Sequence, residues 1–121
     1  FRRVLFRSKR IIFQLGSVFA VKDKFQVSEG HTLIIPYRHV IDYFSMNSSE
    51  KKNAETLIEQ IKIDLLSKDS SISGFNIGMN CGESAGQTVS HAHIHVIPRR
   101  DGDVENPRGG VRGVIPGKMD Y

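Results

Sequence analysis

The chain has 121 residues and a mass of 13.6 kDa, which is enough for one domain with one hydrophobic core and too short for two. Its 39% apolar and 25% charged residues exclude a disordered or collagen-like chain. Its longest unbroken apolar run, Val18–Val21, is far shorter than the roughly 18 residues of a membrane-spanning helix. The net charge is only +4, and Arg2, Arg3 and Arg7 supply three of its positive charges, so we expect neither nucleic-acid nor membrane binding.

The two ends of the chain differ from its middle. Residues 1–9 mix arginine with apolar side chains and do not begin with Met, and we interpret them as a ragged N-terminus of doubtful origin. Residues 10–100 are predicted to form the folded domain. Residues 101–121 contain five of the 11 glycines and are predicted to form a Gly/Pro-rich tail on the surface. The single cysteine, Cys81, cannot form an internal disulfide, which favours a cytoplasmic protein.

The first predicted elements are strands. Residues 10–13 and 18–22 are rich in β-branched and aromatic side chains and flank a turn at Gly16, which is typical of a hairpin. Residues 31–36 predict a third strand, which Pro36 ends or confines to a position where no amide is needed.

A helix follows. Asn47 with Glu50 three residues later is a plausible N-cap. Apolar residues then recur every three or four positions, which predicts a helix of about five turns with one apolar face on the sheet. These residues are Ala54, Leu57, Ile58, Ile61 and Leu65.

The second half of the chain returns to strand patterns. Apolar and polar residues alternate over 75–80, residues 81–90 resemble a loop, and residues 91–97 predict a last strand that Pro98 stops. The order of elements predicts an α+β fold, with a mainly antiparallel five-stranded sheet and one long helix packed on it.

Three of the five histidines lie together in this last segment, at His91, His93 and His95. On a strand, alternate residues share a face, so the three rings are expected to project the same way at a spacing of about 7 Å. Burial in a core does not explain such a row, because each ring would need its own polar partner. Two of the rings could share a Zn²⁺ ion, but no second thiol is present and no fourth ligand is evident, so no metal is predicted.

The loop before the histidines favours a phosphate ligand. Glycines in residues 82–90 let backbone N–H groups approach an anion, and Gln87 and Thr88 add side-chain donors. An imidazole can attack phosphorus if its other ring nitrogen donates to a fixed acceptor. His93 is the natural nucleophile, because the flanking histidines can bind the phosphoryl oxygens and assist the leaving group.

Residues 86–99, Gly-Gln-Thr-Val-Ser-His-Ala-His-Ile-His-Val-Ile-Pro-Arg, resemble the signature of the histidine triad (HIT) family of nucleotide hydrolases and transferases. Asp23, the run of residues 28–36 and the pair Arg38-His39 extend the resemblance to about residues 10–100. The sequence is most similar to the fragile-histidine-triad branch and to bacterial dinucleoside polyphosphate hydrolases. The resemblance implies the HIT fold and a two-fold homodimer with abutting sheets.

The resemblance also implies roles for individual residues. His93 would be the nucleophile that forms a transient nucleotidyl-histidine at the α-phosphate, and water would then release the monophosphate. His91 and His95 would flank it, with the backbone carbonyl of His91 accepting from its second ring nitrogen. The other implied positions are Gln87 and Thr88 at the phosphates or leaving group, Gly86 and Asn80 at the phosphate site, His31 as a further active-site histidine, Asp23 at the ribose, and Leu33 and Val21 around the base.

The expected function is hydrolysis of a dinucleoside polyphosphate, such as diadenosine tri- or tetraphosphate, or of a nucleoside phosphoramidate. No tightly bound cofactor is predicted, and Mg²⁺ would accompany the substrate phosphates. A nucleotidyltransferase is an alternative, although related transferases carry glutamine at the position of His95. A non-catalytic nucleotide-binding or zinc-binding module is another.

Overall fold

The computed structural model describes residues 10–121, so the interpretation of residues 1–9 lies outside the described residues. Five strands form one sheet in the order β1-β2-β3-β5-β4, and every neighbouring pair is antiparallel. The predicted α+β fold is confirmed. No helix between residues 10 and 121 is both long and apolar enough to cross a membrane. The elements in chain order are β1 (Ile11–Leu15), β2 (Val18–Lys22), β3 (Thr32–Pro36), α1 (Ser48–Lys68), β4 (Ile72–Gly78) and β5 (Ile94–Arg100).

Helix α1 begins at the predicted cap and packs by the predicted face. Asn47 and Glu50 form a reciprocal capping box, in which each side chain accepts the other residue's backbone N–H at 2.8 Å. Ala54, Leu57 and Ile61 are buried against one face of the sheet. This contact forms the larger of the two hydrophobic clusters in the described chain.

The strand register places the histidine-bearing segment on the opposite face of the sheet. Ile34 of β3 pairs with Ile94 and belongs to the cluster under α1. Its neighbour Leu33 pairs with His95, and because opposed residues share a face, His95 lies with Leu33 and Val21 on the side away from the helix. The helix therefore covers one face of the sheet, and His95 lies on the other.

The predicted start of the last strand at residue 91 is wrong, because β5 begins at Ile94. Strand β3 ends at Pro36, which has no N–H, and the carbonyl of Pro36 accepts from the His91 ring at 2.8 Å. The backbone N–H of Ala92 instead donates to Val40 at 2.8 Å. The ladder cannot continue past this point, so His91 and His93 precede the strand.

The predicted stop at Pro98 is also wrong. Strand β5 continues past Pro98 to Arg100, and it stays paired with β4 over this whole length. Its ladder with β3 extends only to Val96, so one side of the strand requires no hydrogen bond at the proline. The alternating pattern predicted a strand that starts at residue 75, but β4 starts three residues earlier, at Ile72.

The segment of residues 101–121, called the tail below, is largely exposed and contains a 3₁₀ turn at Gly110–Val114. Asp103 holds its start through two 2.8 Å hydrogen bonds from Arg99. Gly109 has a positive φ of 91°, and an added Cβ there would collide with the carbonyl oxygen of Met119. The tail is thus a surface segment with its own packing. The division of the chain at residue 100 stays a prediction.

Candidate active site

The ring of His93 is held by the backbone two residues before it. Its Nδ1 lies 2.9 Å from the carbonyl oxygen of His91. A carbonyl only accepts, so Nδ1 carries the proton and the neutral ring has its lone pair on Nε2. This is the geometry that a nucleophilic imidazole requires.

A chain of hydrogen bonds determines which nitrogen of His95 carries its proton. The backbone N–H of Val27 donates to Nδ1 of His31 at 3.3 Å, so the neutral His31 ring is protonated at Nε2. That nitrogen lies 2.9 Å from Nδ1 of His95 and 3.4 Å from Oδ2 of Asp23. His95 accepts at Nδ1 and therefore carries its proton on Nε2. The result is a donor at His95, whose ring lies 5.2 Å from that of the lone-pair-bearing His93.

Burial keeps His31 and His95 neutral. It lowers the pKa of His95 from 6.5, and the charges that His93 and His31 can carry lower it further against the opposing effect of Asp23. Burial also lowers the pKa of His31, again partly offset by Asp23. Both rings are therefore uncharged at neutral pH, which is the state that the hydrogen-bond chain needs.

His91 differs from the other two members of the triad. Its ring is 1% exposed, donates from Nε2 to the carbonyl of Pro36, and packs edge-on against His39 at 5.0 Å. The expected row of rings at about 7 Å spacing is wrong, since His91 and His93 lie outside the strand and the His93 and His95 rings are only 5.2 Å apart. The sequence analysis named His39 within the family resemblance but predicted no contact for it, because no local pattern links it to a residue 52 positions later.

Asp23 directly follows β2 and uses its two oxygens differently. Oδ1 accepts the backbone N–H of Phe25 at 2.8 Å, which closes a turn, while Oδ2 faces His31. Val21 and Leu33 are buried in the cluster on the same face of the sheet as His95. The structure therefore brings these three predicted nucleotide-binding residues to the side of the sheet that carries His95.

The loop before the triad is held by one amide side chain. Gln87 donates from Nε2 to the carbonyls of Ile41 and Val89, at 2.6 and 3.0 Å, and accepts from Gly82 N–H at 2.8 Å. The backbone amides of Gly86 and Gln87 also donate within the loop. These groups, expected to face a phosphate, are in this structure engaged in shaping the loop. Thr88 is exposed beside them.

A cavity of about 300 Å³ opens beside the hydrogen-bonded rings of His31 and His95. His31 and His95 line it together with Asn80, so the structure places this predicted phosphate-site amide near both rings. Most of its other lining residues are apolar, and they include Val111 and Val114 from the tail. Sequence reasoning did not anticipate a contribution from the tail, because its composition predicts only an irregular surface segment.

Asp23, His31 and His95 also offer one potential metal-ligand atom each, all within 4.8 Å of one another. A histidine that coordinates through Nε2 carries its proton on Nδ1 and donates it to an acceptor. Nδ1 of His31 instead faces the N–H donor of Val27. This donor set fits a chain of hydrogen bonds and does not fit coordination by His31.

The chain belongs to the HIT family, since a model of the HIT domain matches residues 7–102. It is 36% identical over 88 residues to the AP-4-A phosphorylase of Mycobacterium tuberculosis, across 71% of this chain and 44% of the relative. It is 39% identical over 74 residues to the asymmetrical bis(5'-nucleosyl)-tetraphosphatase of Schizosaccharomyces pombe, across 61% of this chain and 40% of the relative.

The fold agrees with solved structures of the same family. The crystal structure of a HIT family protein from Bacillus anthracis superposes with a TM-score of 0.71 at 34% identity, over 77% of this chain and 65% of that one. The chain spans only part of its relatives, for example 56% and 63% of the length of the uncharacterized HIT-like proteins of Mycoplasma genitalium and Saccharolobus solfataricus.

Proposed function

We propose that the protein is a nucleotide hydrolase that cleaves a dinucleoside polyphosphate, such as diadenosine tri- or tetraphosphate, at the α-phosphate through a covalent intermediate on His93. The observation that carries the proposal is the 2.9 Å hydrogen bond from Nδ1 of His93 to the carbonyl of His91, which directs the lone pair to Nε2. The names of the two similar enzymes support this substrate class.

The proposed reaction has two displacements at phosphorus. In the first, Nε2 of His93 bonds to the α-phosphorus while the bond to the bridging oxygen breaks, and the remaining nucleotide leaves as an anion. The Nε2–H of His95 donates to the bridging oxygen as its negative charge grows. In the second, water attacks the phosphorus, the electron pair of the N–P bond returns to His93, and one water proton passes to solvent. The product is a nucleoside monophosphate.

The other residues would bind and position the substrate. Asp23 would hold the ribose hydroxyls, with Val21 and Leu33 beside the base. Asn80 and Thr88 would contact phosphate oxygens, and Gln87 would act by holding the loop that contains Gly86. Mg²⁺ would travel with the substrate phosphates, because exposed phosphate oxygens suit it better than any set of protein ligands here.

The test is replacement of the nucleophile. His93→Ala should lower turnover by about 10⁴-fold or more while nucleotide still binds, as loss of a covalent nucleophile commonly does. His93→Gly should recover activity with added imidazole, and the alanine variant, which lacks the same space, serves as its matched control. Intact-mass spectrometry of the wild type, quenched rapidly without acid, should reveal a nucleotide-sized adduct, and digestion of the same sample should place it on the peptide that contains residues 91–95. Full turnover by His93→Ala would contradict the proposal.

A second candidate is transfer to phosphate instead of water, favoured by the similarity to the AP-4-A phosphorylase. The same intermediate serves both reactions, and the products separate them. Hydrolysis releases a nucleoside monophosphate, whereas attack by inorganic phosphate releases a nucleoside diphosphate. Product analysis with and without phosphate decides between the two acceptors.

A further inference from the structure

The cavity beside His95 adjoins a second cavity under the tail. A larger cavity of about 810 Å³ lies between the tail and the face formed by β4 and β5. Both cavities are lined by Val27, Asn76, Ile97, Val111 and Val114, so the two are direct neighbours. We call the larger cavity the tail groove.

The walls of the tail groove suit a flat heteroaromatic ring. Ile97 of the sheet and Val111, Val114 and Met119 of the tail line the space, so both the sheet and the tail contribute apolar side chains. The volume of about 810 Å³ is within the range of small-molecule sites and accommodates a nucleotide.

One polar group in the groove has a defined orientation. Oδ1 of Asn76 accepts from Nη1 of Arg99 at 2.7 Å, so the amide presents its two N–H donors to the other side. Those donors point toward Gly110, where an added Cβ would lie 3.4 Å from the amide nitrogen. An amide donor between apolar walls can recognise the ring acceptors of a base.

The tail is held in the position that forms this groove. Asp103 binds Arg99 through both carboxylate oxygens, and Asn106 donates to Asp120 at 3.1 Å. Arg108 and Arg112 both stack on the ring of Tyr121, at 4.8 and 5.0 Å. The wall is therefore preorganised, which reduces the entropy cost of binding.

We propose that the tail groove binds the leaving nucleotide of a dinucleoside polyphosphate, so that the tail selects substrates with two nucleosides over substrates with one. The inference rests on the proposed function. His95 donates to the bridging oxygen in that reaction, and the cavity that His95 lines adjoins the tail groove. The half of the substrate beyond the broken bond would therefore lie next to the tail groove.

The test compares two substrates that share the transferred nucleotide. Diadenosine tetraphosphate carries a second nucleoside, and the p-nitrophenyl ester of AMP carries a small leaving group. Val114→Trp fills the tail groove and should lower the ratio of kcat/KM for the first substrate to that for the second by about tenfold. Asn76→Asp keeps an acceptor for Arg99, removes the amide donor and should lower the same ratio. Ile115→Trp, a tail residue that lines neither cavity, is the matched control and should leave the ratio unchanged.

A binding experiment separates failure of this inference from failure of the proposed function. The probes are AMP and a dinucleoside polyphosphate with a methylene bridge that resists cleavage. Val114→Trp should weaken the bridged dinucleotide about tenfold relative to AMP, whether or not the wild type turns over either substrate. Equal weakening of both probes, or of neither, overturns the groove assignment. If the wild type binds both probes but turns over neither substrate, the proposed hydrolase function is overturned. The effect of Val114→Trp on the ratio of the two affinities then decides the groove assignment by itself.

Discussion

His95 acts as a donor because of atoms that are distant from it in the sequence. The N–H of Val27 determines the tautomer of His31, and His31 in turn determines that of His95. A proton on Nδ1 of His95 would face the Nε2–H of His31. Protonation of His95 at this nitrogen therefore breaks the hydrogen bond between the two rings. The lowered pKa of each ring keeps that state from forming at neutral pH.

The titration of His95 tests this arrangement directly. NMR observation of its Cε1–H should give a midpoint below the ordinary pKa of 6.5. His31→Gln removes one of the charges that lower the pKa and should move the midpoint to higher pH. His39→Gln removes an imidazole that takes no part in the hydrogen bonds between Val27, His31 and His95, and it should leave the midpoint in place. A midpoint at or above 6.5 in the wild type would contradict the proposed environment.

The same pKa shifts have a consequence for folding. The unfolded chain takes up protons at its histidines near pH 6.5, whereas His31 and His95 in the folded state resist protonation to lower pH. The unfolded state therefore binds more protons in this range. The contribution of these rings to stability is complete above pH 6.5 and is lost as the pH falls through their folded pKa values.

At the scale of elements, the N-terminus of α1 depends on a buried carboxylate. Glu50 is 1% exposed, and it accepts from the Asn47 amide and from two nitrogens of Arg38, at 2.8 and 3.1 Å. Burial acts to raise the pKa of Glu50, but the hydrogen bonds from Arg38 and Asn47 and the charge of Arg38 outweigh it, and the pKa is lowered. Glu50 thus connects the helix cap to the segment after β3.

Removal of this carboxylate should destabilise the protein. Glu50→Ala should lower the free energy of unfolding by about 2 kcal/mol, since it removes half of the capping box and the partner of Arg38. Glu50→Gln keeps an acceptor for Asn47 and should lose less. Glu59→Ala on the exposed face should change stability by less than about 0.5 kcal/mol. Urea denaturation measures all three.

The pH dependence of this effect has a definite sign. A carboxylate whose pKa is lowered on folding contributes stability above its unfolded value of 4.5 and loses it as the pH falls below that value. The difference in the free energy of unfolding between the wild type and Glu50→Gln should therefore decrease as the pH falls below 4.5. A difference that is constant with pH would mean that the charge of Glu50 does not contribute.

For the whole molecule, β4 is one of the two edge strands of the sheet. Strand β4 is last in the strand order and pairs only with β5 among the described strands, and Ile77 on it is 48% exposed. An exposed edge strand favours pairing with another chain. Together with the family resemblance, this supports a homodimer formed through β4.

Light scattering should therefore give a mass of twice 13.6 kDa. Ile77→Lys places a charge on the proposed interface and should give monomers. Ile12→Lys is the matched control, because Ile12 is 40% exposed on β1 at the other end of the sheet, and this variant should remain dimeric. A monomeric wild type, or dissociation of both variants alike, would contradict the assignment to β4.

Local patterns were sufficient to predict much of the molecule. The helix from Ser48 to Lys68 and its buried face follow from an apolar period of three and four residues, which depends only on backbone geometry. The hairpin of β1 and β2 follows from composition and one glycine turn. A functional role for His91, His93 and His95 was predicted because three rings in five residues have no simple structural explanation, and it stays a prediction.

Tertiary structure alone decided how these residues are used. His31 and His95 are 64 positions apart, yet their 2.9 Å contact assigns an N–H donor to the ring of His95, next to the proposed nucleophile His93. The Gln87 amide and the tail contacts likewise depend on partners that only folding brings near. A sequence pattern specifies which chemical groups are available, but the direction of a proton depends on which atoms face each other, and that is a property of the folded chain.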